Sequence, residues 1–283
     1  MPELPEITCR AREMNEALVG KTIASIEIGQ PKCLNVPART FAASLAGARL
    51  LEVTNRGKWI FVETTRGWLL INMGMGGEIL LVRSKSLPAK RRVVFKFKDG
   101  AALSLNFWWF GYIHFVRPGK LDGHAMTAVL GPNATDISAE ELWAMIEGRR
   151  GRVKTLLLDQ SRLAGIGNAY VHDILFLAGL HPLESLSNLD EDDARRLAQA
   201  IRDGLVPSIK KGGAFYELNL HGKKGGFLKK HILVGYRPGE PCPVCDTAIV
   251  KIRTGGTASF ICPRCQALRK ARKRLKSQNR GGA

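Results

Sequence analysis

Four cysteines near the end of the chain constrain its fold more than any other feature. Cys242 and Cys245 are separated by two residues, and after sixteen further residues Cys262 and Cys265 repeat this spacing. Two such pairs typically place four thiolates tetrahedrally around one zinc ion. Because protein ligands then fill all four positions, the spacing predicts a single structural zinc ion within a small β-hairpin module. The alternative is a set of four unligated cysteines.

The charge of the chain indicates a polyanionic partner. Its 283 residues include 43 Lys and Arg against 25 Asp and Glu, which gives a formal net charge of +18. Such an excess is typical of proteins that bind nucleic acid, and an anionic membrane surface is the second alternative. No apolar run approaches the roughly 20 residues of a membrane span, and the start of the chain lacks a signal-peptide pattern. Because its cysteines are clustered for a metal rather than spread for disulfides, the protein is predicted to be cytoplasmic.

Hydrophobic patterning divides the chain into a β-rich first part and a helical second part. Residues 2–18 carry apolar side chains at helical spacing, short β-prone runs follow as far as Val116, and the pattern becomes helical after Ser138. We therefore predict an α+β, multi-domain fold in which an N-terminal helix joins an antiparallel β-sandwich. The predicted parts are 1–117 for the helix and sandwich, 118–137 for a linker, 138–231 for a helical domain, 232–270 for the zinc module and 271–283 for a basic tail.

A glycine-rich turn, Gly165-Ile166-Gly167-Asn168, separates two predicted helices. Backbone N–H groups at glycines can approach a phosphate closely, the Asn168 amide can add a hydrogen bond, and the following helix presents its positive N-terminus. Four cations precede the turn, namely Arg149, Arg150, Arg152 and Lys154. The turn is therefore a candidate phosphate contact, and an ordinary turn between helices is the alternative.

The first residues of the chain, Met1-Pro2-Glu3, offer a candidate nucleophile. A small second residue allows removal of the initiator Met, which leaves Pro2 with a free secondary amine. An α-amine of pKa about 8 is a better nucleophile at neutral pH than a lysine, and Glu3 beside it is a candidate general acid or base. The alternative is an inert proline in a first helical turn whose acids match the helix dipole.

Six motifs occur along the chain in the order found in formamidopyrimidine-DNA glycosylases. They are Met1-Pro-Glu-Leu-Pro-Glu6, Asn55-Arg-Gly-Lys58, Lys154-Thr-Leu-Leu-Leu-Asp159, Gly165-Ile-Gly-Asn168, Val234-Gly-Tyr-Arg-Pro-Gly-Glu-Pro-Cys242 and Cys262-Pro-Arg-Cys-Gln266. The chain thus resembles the formamidopyrimidine-DNA glycosylase and endonuclease VIII family over nearly its whole length. The resemblance implies an N-terminal helix on a β-sandwich, a helix-two-turn-helix domain with a lesion loop, and a zinc finger, with DNA in the cleft between them.

The resemblance also implies a reaction. In this family the N-terminal proline, here Pro2, attacks C1′ of a damaged nucleotide that is flipped out of the duplex. Glu3 then assists the proton transfers, and the resulting Schiff base leads to strand cleavage by β-elimination. Lys58 matches a lysine that contacts phosphate near the lesion and helps elimination, with a solvated surface lysine as the alternative. The predicted catalytic residues are Pro2, Glu3 and Lys58.

Further positions match residues through which the family contacts DNA. Lys154 and Asn168 match phosphate-contacting positions, and Met75 and Phe110 match two of the three side chains that fill the space left by the flipped base. The alternative for the aromatic residues is a place in a strand with one ring in the core. The predicted DNA-contacting residues are Lys58, Met75, Trp108, Phe110, Arg149, Lys154, Gly167 and Asn168.

The base pocket and three departures from the family bear on the choice of substrate. Glu6 and Asp173 fall where the family lines its base pocket, and Asp173 is shorter than the usual glutamate. Trp108 stands where the third space-filling residue is an arginine, so recognition of the opposite base should differ or be lost. Thr257 stands where an arginine normally contacts the phosphates flanking the lesion, which predicts weaker δ-elimination. The loop 213–227 is shorter than the lesion-capping loop of the family, which puts recognition of 8-oxoguanine in doubt.

We predict a bifunctional DNA glycosylase and AP lyase of base excision repair that acts, as a monomer at the bacterial nucleoid, on duplex DNA with oxidised bases or abasic sites. It requires one structural zinc ion and no organic cofactor. The alternative is a protein on the same scaffold that only binds damaged or abasic DNA. The retained Pro2, Glu3 and Lys58 favour the enzyme, whereas Trp108 and Thr257 favour the binding protein. A third alternative, an RNA-binding zinc-ribbon protein, leaves the N-terminal match unexplained.

Overall fold

The computed structural model of the chain describes residues 1–108 and 110–269. The predicted basic tail, 271–283, lies outside the described residues, as does Trp109. Within the described ranges, no helix has the length and apolar character needed to cross a bilayer. The predicted α+β architecture is confirmed, with a helix and β-sandwich first, then a helical domain, then a β-hairpin beside the four cysteines.

The first helix, α1 (Leu4–Leu18), packs against the sandwich and fixes the N-terminus of the chain. Met14 and Leu18 lie on its buried stripe, as expected from their helical spacing. The backbone N–H of Glu3 donates to the carboxylate of Glu6 at 2.9 Å, which ties the residue before the helix to its first turn. The start of the chain is therefore ordered by its own helix.

Two four-stranded antiparallel sheets form the sandwich. The strands are β1 (Ile23–Ile28), β2 (Leu50–Arg56), β3 (Trp59–Thr64), β4 (Gly67–Asn72), β5 (Glu78–Arg83), β6 (Val93–Phe97), β7 (Ala101–Asn106) and β8 (Tyr112–Val116). One sheet has the order β1-β6-β7-β5 and the other β2-β3-β4-β8. The tight β2–β3 turn, which carries Lys58, approaches the helical domain, since a Cβ built on Gly57 would lie 2.7 Å from the Cβ of Ala164.

A further helix, α2 (Ala38–Leu45), contacts β1. Its Phe41 and Leu45 are fully buried in the core, and the Phe41 ring lies 6.3 Å from that of Phe95. The sequence patterns did not indicate this helix, because it is short and only these two side chains are buried. Tertiary packing, rather than periodicity, stabilises it.

The helical domain has an apolar core of its own. Its helices in the described part of the chain are α3 (Ala139–Ile146), α4 (Val153–Leu158), α5 (Val171–Leu177) and α6 (Glu191–Lys210). Ser138 caps α3 by accepting the N–H of Glu141. Leu4 of α1 is buried in this second core rather than in the sandwich. The two domains are therefore joined at the very start of the chain.

The zinc module packs on the helical domain through its hairpin. The strands β9 (Val250–Thr254) and β10 (Thr257–Ile261) pair antiparallel, and β10 contacts α5. The ring of Phe260 on β10 meets that of His172 on α5 edge-on at 5.2 Å. Contacts of this kind orient the hairpin relative to α5.

Asp173 on α5 fastens the segment that leads into the zinc module. Its buried carboxylate accepts the backbone N–H groups of Leu233, Val234 and Gly235 at 2.8, 2.9 and 2.9 Å. Burial raises the pKa of this carboxyl, and the three hydrogen bonds act in the opposite direction. Both oxygens of Asp173 are thus engaged in holding one domain against the next.

We expect Asp173→Ala to lower the free energy of unfolding by about 3 kcal/mol, because three buried N–H groups lose a charged acceptor. Urea denaturation followed by circular dichroism measures the change. Asp122→Ala is the matched control, since Asp122 is exposed and its loss should change stability by less than about 0.5 kcal/mol. Equal losses in the two variants would rule out the fastening role of Asp173.

Candidate active site

Glu3 lies at the point where the start of the chain meets the glycine-rich turn. Its buried carboxylate accepts the N–H of Gly167 at 2.7 Å and the N–H of Ala169 at 2.8 Å. Pro2, which precedes it, is also buried. Because Ala169 donates to Glu3, the N–H groups of this turn are directed at the N-terminus of the chain, and α5 begins only at Val171. The structure therefore brings together two motifs that are far apart in sequence.

Glu3 and Lys58 form an acid and base pair with pKa values displaced toward neutrality. Burial raises the pKa of Glu3 to about 7, while Lys58 and the two backbone hydrogen bonds act against this rise. Burial likewise lowers the pKa of Lys58, opposed by the carboxylates of Glu3 and Glu6. A carboxyl group with a pKa near 7 can both donate and accept a proton at physiological pH. The pair is thus suited to proton transfer beside the N-terminus.

Glycines allow this close approach. A Cβ built on Gly167 would lie 2.6 Å from Nζ of Lys58 and closer still to the carboxylate of Glu3. Gly165 has a φ of +109°, and a Cβ there would lie 2.6 Å from the Cβ of Leu4. Side chains at either position would push the turn away from the start of the chain. The two glycines therefore determine the geometry of the site and do more than join helices.

Glu6 holds three parts of the site together. One carboxylate oxygen accepts the hydroxyl of Tyr170 at 2.6 Å and the N–H of Ala214 at 3.0 Å, and the other accepts the N–H of Glu3 at 2.9 Å. Burial and the neighbouring Glu6 raise the pKa of Tyr170, which therefore remains a hydrogen-bond donor. The structure thus places Glu6 beside Glu3 and at the start of the loop 213–227.

The loop 213–227 is fastened to α1 and brings an acid to the site. The guanidinium of Arg10 donates to the carbonyl of Leu218, and the carboxylate of Glu13 accepts the N–H of Leu220 at 2.8 Å. Burial and then Glu6 raise the pKa of Glu217 to about 7. Sequence reasoning missed Glu217, and no local pattern would have identified it, because its environment is created by the folding of the loop.

Lys154 lies beneath the zinc hairpin rather than at an open surface. Its ammonium donates to the hydroxyls of Thr254, Thr257 and Ser259 at 3.1, 3.0 and 2.8 Å and to the carbonyl of Ala258 at 2.9 Å. Burial lowers the pKa of Lys154 to about 8. Thr257, which stands at the arginine position of the family, is therefore bound to the lysine that was predicted to contact phosphate. Both residues belong to the joint between the helical domain and the hairpin.

Asn168 and Arg149 flank Lys154 in sequence, but the structure does not bring the three side chains together. The Asn168 amide donates to the Tyr236 hydroxyl at 3.2 Å, and its side-chain oxygen has no partner among the described residues. Arg149 lies in the loop before α4, where it lines a cavity of about 210 Å³ together with Arg150 and Arg162. The cations of this loop thus form a separate basic surface on the helical domain.

Met75, Trp108 and Phe110 project from the sandwich as exposed apolar side chains. Their exposed fractions are 45%, 67% and 68%. The backbone N–H of Trp108 donates to the carbonyl of Met75 at 2.9 Å. Phe110 has a φ of 55°, a left-handed conformation that is costly for a bulky residue. Exposed apolar side chains in such a group commonly mark a contact surface. The structure thus brings the predicted space-filling residues to one surface.

Asp173 is not brought into the site around Glu3. It was predicted to line a base pocket, but its two oxygens accept the N–H groups of Leu233, Val234 and Gly235. The segment that binds Asp173 lies between the domain core and the zinc module. Asp173 does not reach the site because its short side chain, projecting from α5, bonds the backbone of the segment that packs against this helix.

The four cysteines converge as their spacing predicts. Their sulfur atoms all lie within 4.8 Å of one another, with Cys245 Sγ to Cys262 Sγ at 3.4 Å and Cys242 Sγ to Cys265 Sγ at 3.8 Å. Zinc–thiolate bonds of about 2.3 Å require this order of sulfur separation in a tetrahedral site. The cluster fits one structural zinc ion with no open coordination position.

Three family models match most of the chain. The Formamidopyrimidine-DNA glycosylase N-terminal domain matches residues 1–107, and the Formamidopyrimidine-DNA glycosylase H2TH domain matches residues 130–218. The zinc finger found in FPG and IleRS matches residues 239–268. These three matches correspond to the sandwich with its first helix, the helical domain and the zinc module of the structure.

Known proteins match along nearly the full length. The formamidopyrimidine-DNA glycosylase of Chloroflexus aggregans is 34% identical over 276 residues, covering 95% of this chain and 99% of the relative. That of Bacillus subtilis is 32% identical over 274 residues, covering 94% and 99%. A Lactococcus lactis FPG mutant in complex with a Fapy-dG containing DNA superposes with a TM-score of 0.87 at 26% identity, covering 94% of this chain and 100% of that chain. The Lactococcus lactis Fpg complex with an abasic site containing DNA gives 0.86 at 26% identity, covering 93% and 99%.

We expect the purified protein to contain one zinc ion per chain and Cys245→Ser to lose it, because a serine hydroxyl does not replace a thiolate ligand. Elemental analysis measures the metal, and the melting temperature should fall because metal binding contributes to folding of the hairpin. Cys33→Ala is the control, since Cys33 lies outside the cluster, and it should keep its zinc. Full zinc content in Cys245→Ser would contradict the four-thiolate site.

Proposed function

The chain belongs to the formamidopyrimidine-DNA glycosylase family and is a DNA glycosylase of base excision repair, and we propose that it also cleaves the DNA strand through a Schiff base at Pro2. The observation that carries the proposal is the buried Glu3, whose pKa is raised to about 7 beside Lys58 and directly after Pro2. A free α-amine next to a carboxyl group of this kind can act as a nucleophile with its own proton donor. A protein that only binds DNA needs neither group.

Base removal starts from the secondary amine of Pro2 after loss of Met1. The Pro2 nitrogen attacks C1′ of the damaged nucleotide, the bond from C1′ to the base breaks, and the base leaves with the electron pair and takes up the proton that the Pro2 nitrogen releases. Glu3 in its protonated form donates a proton as the sugar ring opens, which leaves an iminium ion between Pro2 and C1′. The N–H groups of Gly167 and Ala169 stabilise the carboxylate that results.

Strand cleavage follows from the iminium ion. Loss of a proton from C2′ and departure of the 3′ phosphate complete β-elimination, and water then hydrolyses the iminium and releases Pro2. Lys58 lies beside Glu3, where its ammonium can contact the phosphate near the lesion. Because residue 257 is a threonine, which bonds Lys154, the hairpin has no guanidinium at that position, and we expect δ-elimination to be weak.

The substrate is duplex DNA with a damaged base or an abasic site. The relatives of known structure were solved with Fapy-dG and abasic DNA, and this chain has the same three parts and a large positive charge. Met75, Trp108 and Phe110 fill the space that the flipped nucleotide leaves. We propose that Glu6 lines the base pocket and that Asn168, whose side-chain oxygen has no partner among the described residues, contacts the DNA backbone. The separate basic surface with Arg149 offers a further backbone contact. Lys154 and the Gly167 N–H bond within the protein and instead hold the hairpin and the start of the chain in place.

The residues of the site and the relatives of the chain support a monomer that acts in the cytoplasm. One chain supplies Pro2, Glu3, Lys58 and Gly167, so a monomer is sufficient for the reaction. Its close relatives are bacterial enzymes, and a four-thiolate zinc site suits a reducing compartment. These features support action in the cytoplasm at the nucleoid.

We expect wild-type protein to form a borohydride-trapped covalent adduct with abasic duplex and Pro2→Gln to form none. Glutamine at position 2 retains the initiator Met, which moves the free amine away from Glu3. Denaturing electrophoresis of labelled DNA measures the adduct, and Pro118→Gln, an exposed proline, is the matched control. Tight binding of abasic DNA without any adduct in the wild type would instead favour the binding-only alternative.

We expect single-turnover nicking of abasic duplex to slow about tenfold per pH unit above pH about 7, because Glu3 loses its proton there. Glu3→Gln should remove this descending limb and lower the rate by roughly 10²- to 10⁴-fold. Glu16→Gln is the control, since Glu16 is an exposed acid on the same helix. A limb that persists in Glu3→Gln but disappears in Glu217→Gln would assign it to Glu217 and contradict the role of Glu3.

A further inference from the structure

Glu217 is a half-buried acid to which the proposed reaction assigns no step. It lies in the loop 213–227, and its carboxylate makes no hydrogen bond or ion pair with the described residues. Its backbone is held, because its N–H donates to the carbonyl of Ala214 at 3.0 Å and its carbonyl accepts the N–H of Gly225 at 3.1 Å. A fixed backbone thus carries a carboxylate whose oxygens are available.

The loop runs along one face of α1. Three side chains of this helix follow one another at helical spacing and bond the loop backbone. The pairs are Glu6 with the N–H of Ala214 at 3.0 Å, Arg10 with the carbonyl of Leu218, and Glu13 with the N–H of Leu220 at 2.8 Å. Glu217 therefore lies between the contacts made by Glu6 and Arg10, in the half of α1 that is nearer the start of the chain.

Leu220 fastens the same loop to the sandwich. Its side chain is fully buried in the core of the sandwich, and its carbonyl accepts the N–H of Leu81 on β5 at 2.8 Å. The loop is thus attached both to α1 and to a strand. The fold therefore fixes the backbone of Glu217 relative to the start of the chain.

The groups that face Glu217 come from α1, from β5 and from the start of the chain. Burial and then Glu6 raise the pKa of Glu217 to about 7, and Glu78 on β5 adds to this rise. The ammonium at the start of the chain and the guanidinium of Arg10 act in the opposite direction. A carboxyl group with this pKa exchanges a proton readily with an α-amine, whose ordinary pKa is about 8. The amino terminus and Glu217 are thus matched as proton donor and acceptor.

Pro2 must lose a proton before it can attack C1′. An α-amine with a pKa of about 8 is mostly an ammonium at pH 7, and only the neutral amine has a free electron pair. In the proposed reaction Glu3 is already protonated, and both of its oxygens accept backbone N–H groups. Both oxygens of Glu6 are also hydrogen-bonded. Among the described contacts of these three acids, only Glu217 has carboxylate oxygens without a hydrogen bond.

We propose that Glu217 takes the proton of the Pro2 ammonium and so generates the nucleophile. The inference rests on the proposed function, because only Schiff-base chemistry at Pro2 requires a neutral amine. The proton moves from the Pro2 nitrogen to an oxygen of Glu217, and the electron pair of the broken N–H bond remains on nitrogen and attacks C1′. Glu217 keeps this proton until hydrolysis of the iminium frees the Pro2 amine, to which the proton then returns.

The test compares wild-type protein with Glu217→Gln on abasic duplex, because contacts with a damaged base play no part there. We expect single-turnover formation of the borohydride-trapped adduct to slow about tenfold below pH 7, since only unassisted ionisation of an amine of pKa about 8 remains. The ratio of the two rates should approach one above pH about 9, where the amine is neutral without help. Loss of the Glu3 proton slows both proteins alike and cancels in this ratio.

Two controls separate proton transfer from a structural role. Duplex with a tetrahydrofuran abasic analogue should bind equally to wild-type protein and Glu217→Gln, because glutamine keeps the size of a side chain that makes no hydrogen bond in the described structure. Glu52→Gln, which changes an exposed acid on β2, should keep the wild-type rate at every pH. A structural role of Glu217 would slow the reaction equally at every pH.

The proposal is overturned if Glu217→Gln keeps wild-type rates between pH about 6 and 9, or if its loss of rate is the same throughout this range. In both cases wild-type protein still forms the adduct, so the lyase chemistry at Pro2 stands and only the role of Glu217 is removed. Absence of any adduct with wild-type protein removes the proposed lyase chemistry itself.

Discussion

The contact of the Glu3 carboxylate with the N–H groups of Gly167 and Ala169 is the interaction on which the rest of the structure depends. It joins the start of the chain to a turn in the second domain. The same contact buries Glu3, and burial raises its pKa to about 7. The Glu3 carboxylate, which joins the two domains, therefore also has a pKa in the range that acid catalysis requires. Position and reactivity therefore have one physical cause.

Lys154 is the corresponding link between the helical domain and the zinc hairpin. Its ammonium is surrounded by neutral oxygens, including those of Thr254 and Thr257, and has no carboxylate partner among the described residues. Because no carboxylate neutralises it, the joint retains the positive charge of the ammonium. The hydroxyl of Thr257 contributes one of the hydrogen bonds of this arrangement. The departure from the family at Thr257 and the buried state of Lys154 are thus parts of one local solution.

Sequence reasoning predicted the features that depend on local spacing. The helical stripe of α1 and the four converging cysteines follow from periodicity and pairing alone, and the main strands follow from alternation. The contacts of Asp173, the packing of α2 and the environment of Glu217 depend on segments distant in sequence, and no local pattern encodes them. Pro2 and Glu3 fall between these two groups. Their motif suggested a role from sequence alone, but only the fold brings Gly167 and Lys58 to them as partners. Long-range contacts, rather than residue types, therefore mark the limit of what the sequence alone can predict.

The distribution of charge places a cluster of acidic side chains inside a strongly basic protein. The formal net charge of +18 attracts the phosphate backbone, yet Glu6 lies close enough to both Glu3 and Glu217 to raise their pKa values. Carboxylates repel phosphates, so the backbone is favoured at the rim of the cleft and disfavoured inside it. An uncharged base and sugar carry no such penalty. In the proposed reaction, we therefore expect the sugar of the flipped nucleotide to face Pro2 and its phosphates to face the lysines, which is the orientation that attack at C1′ requires.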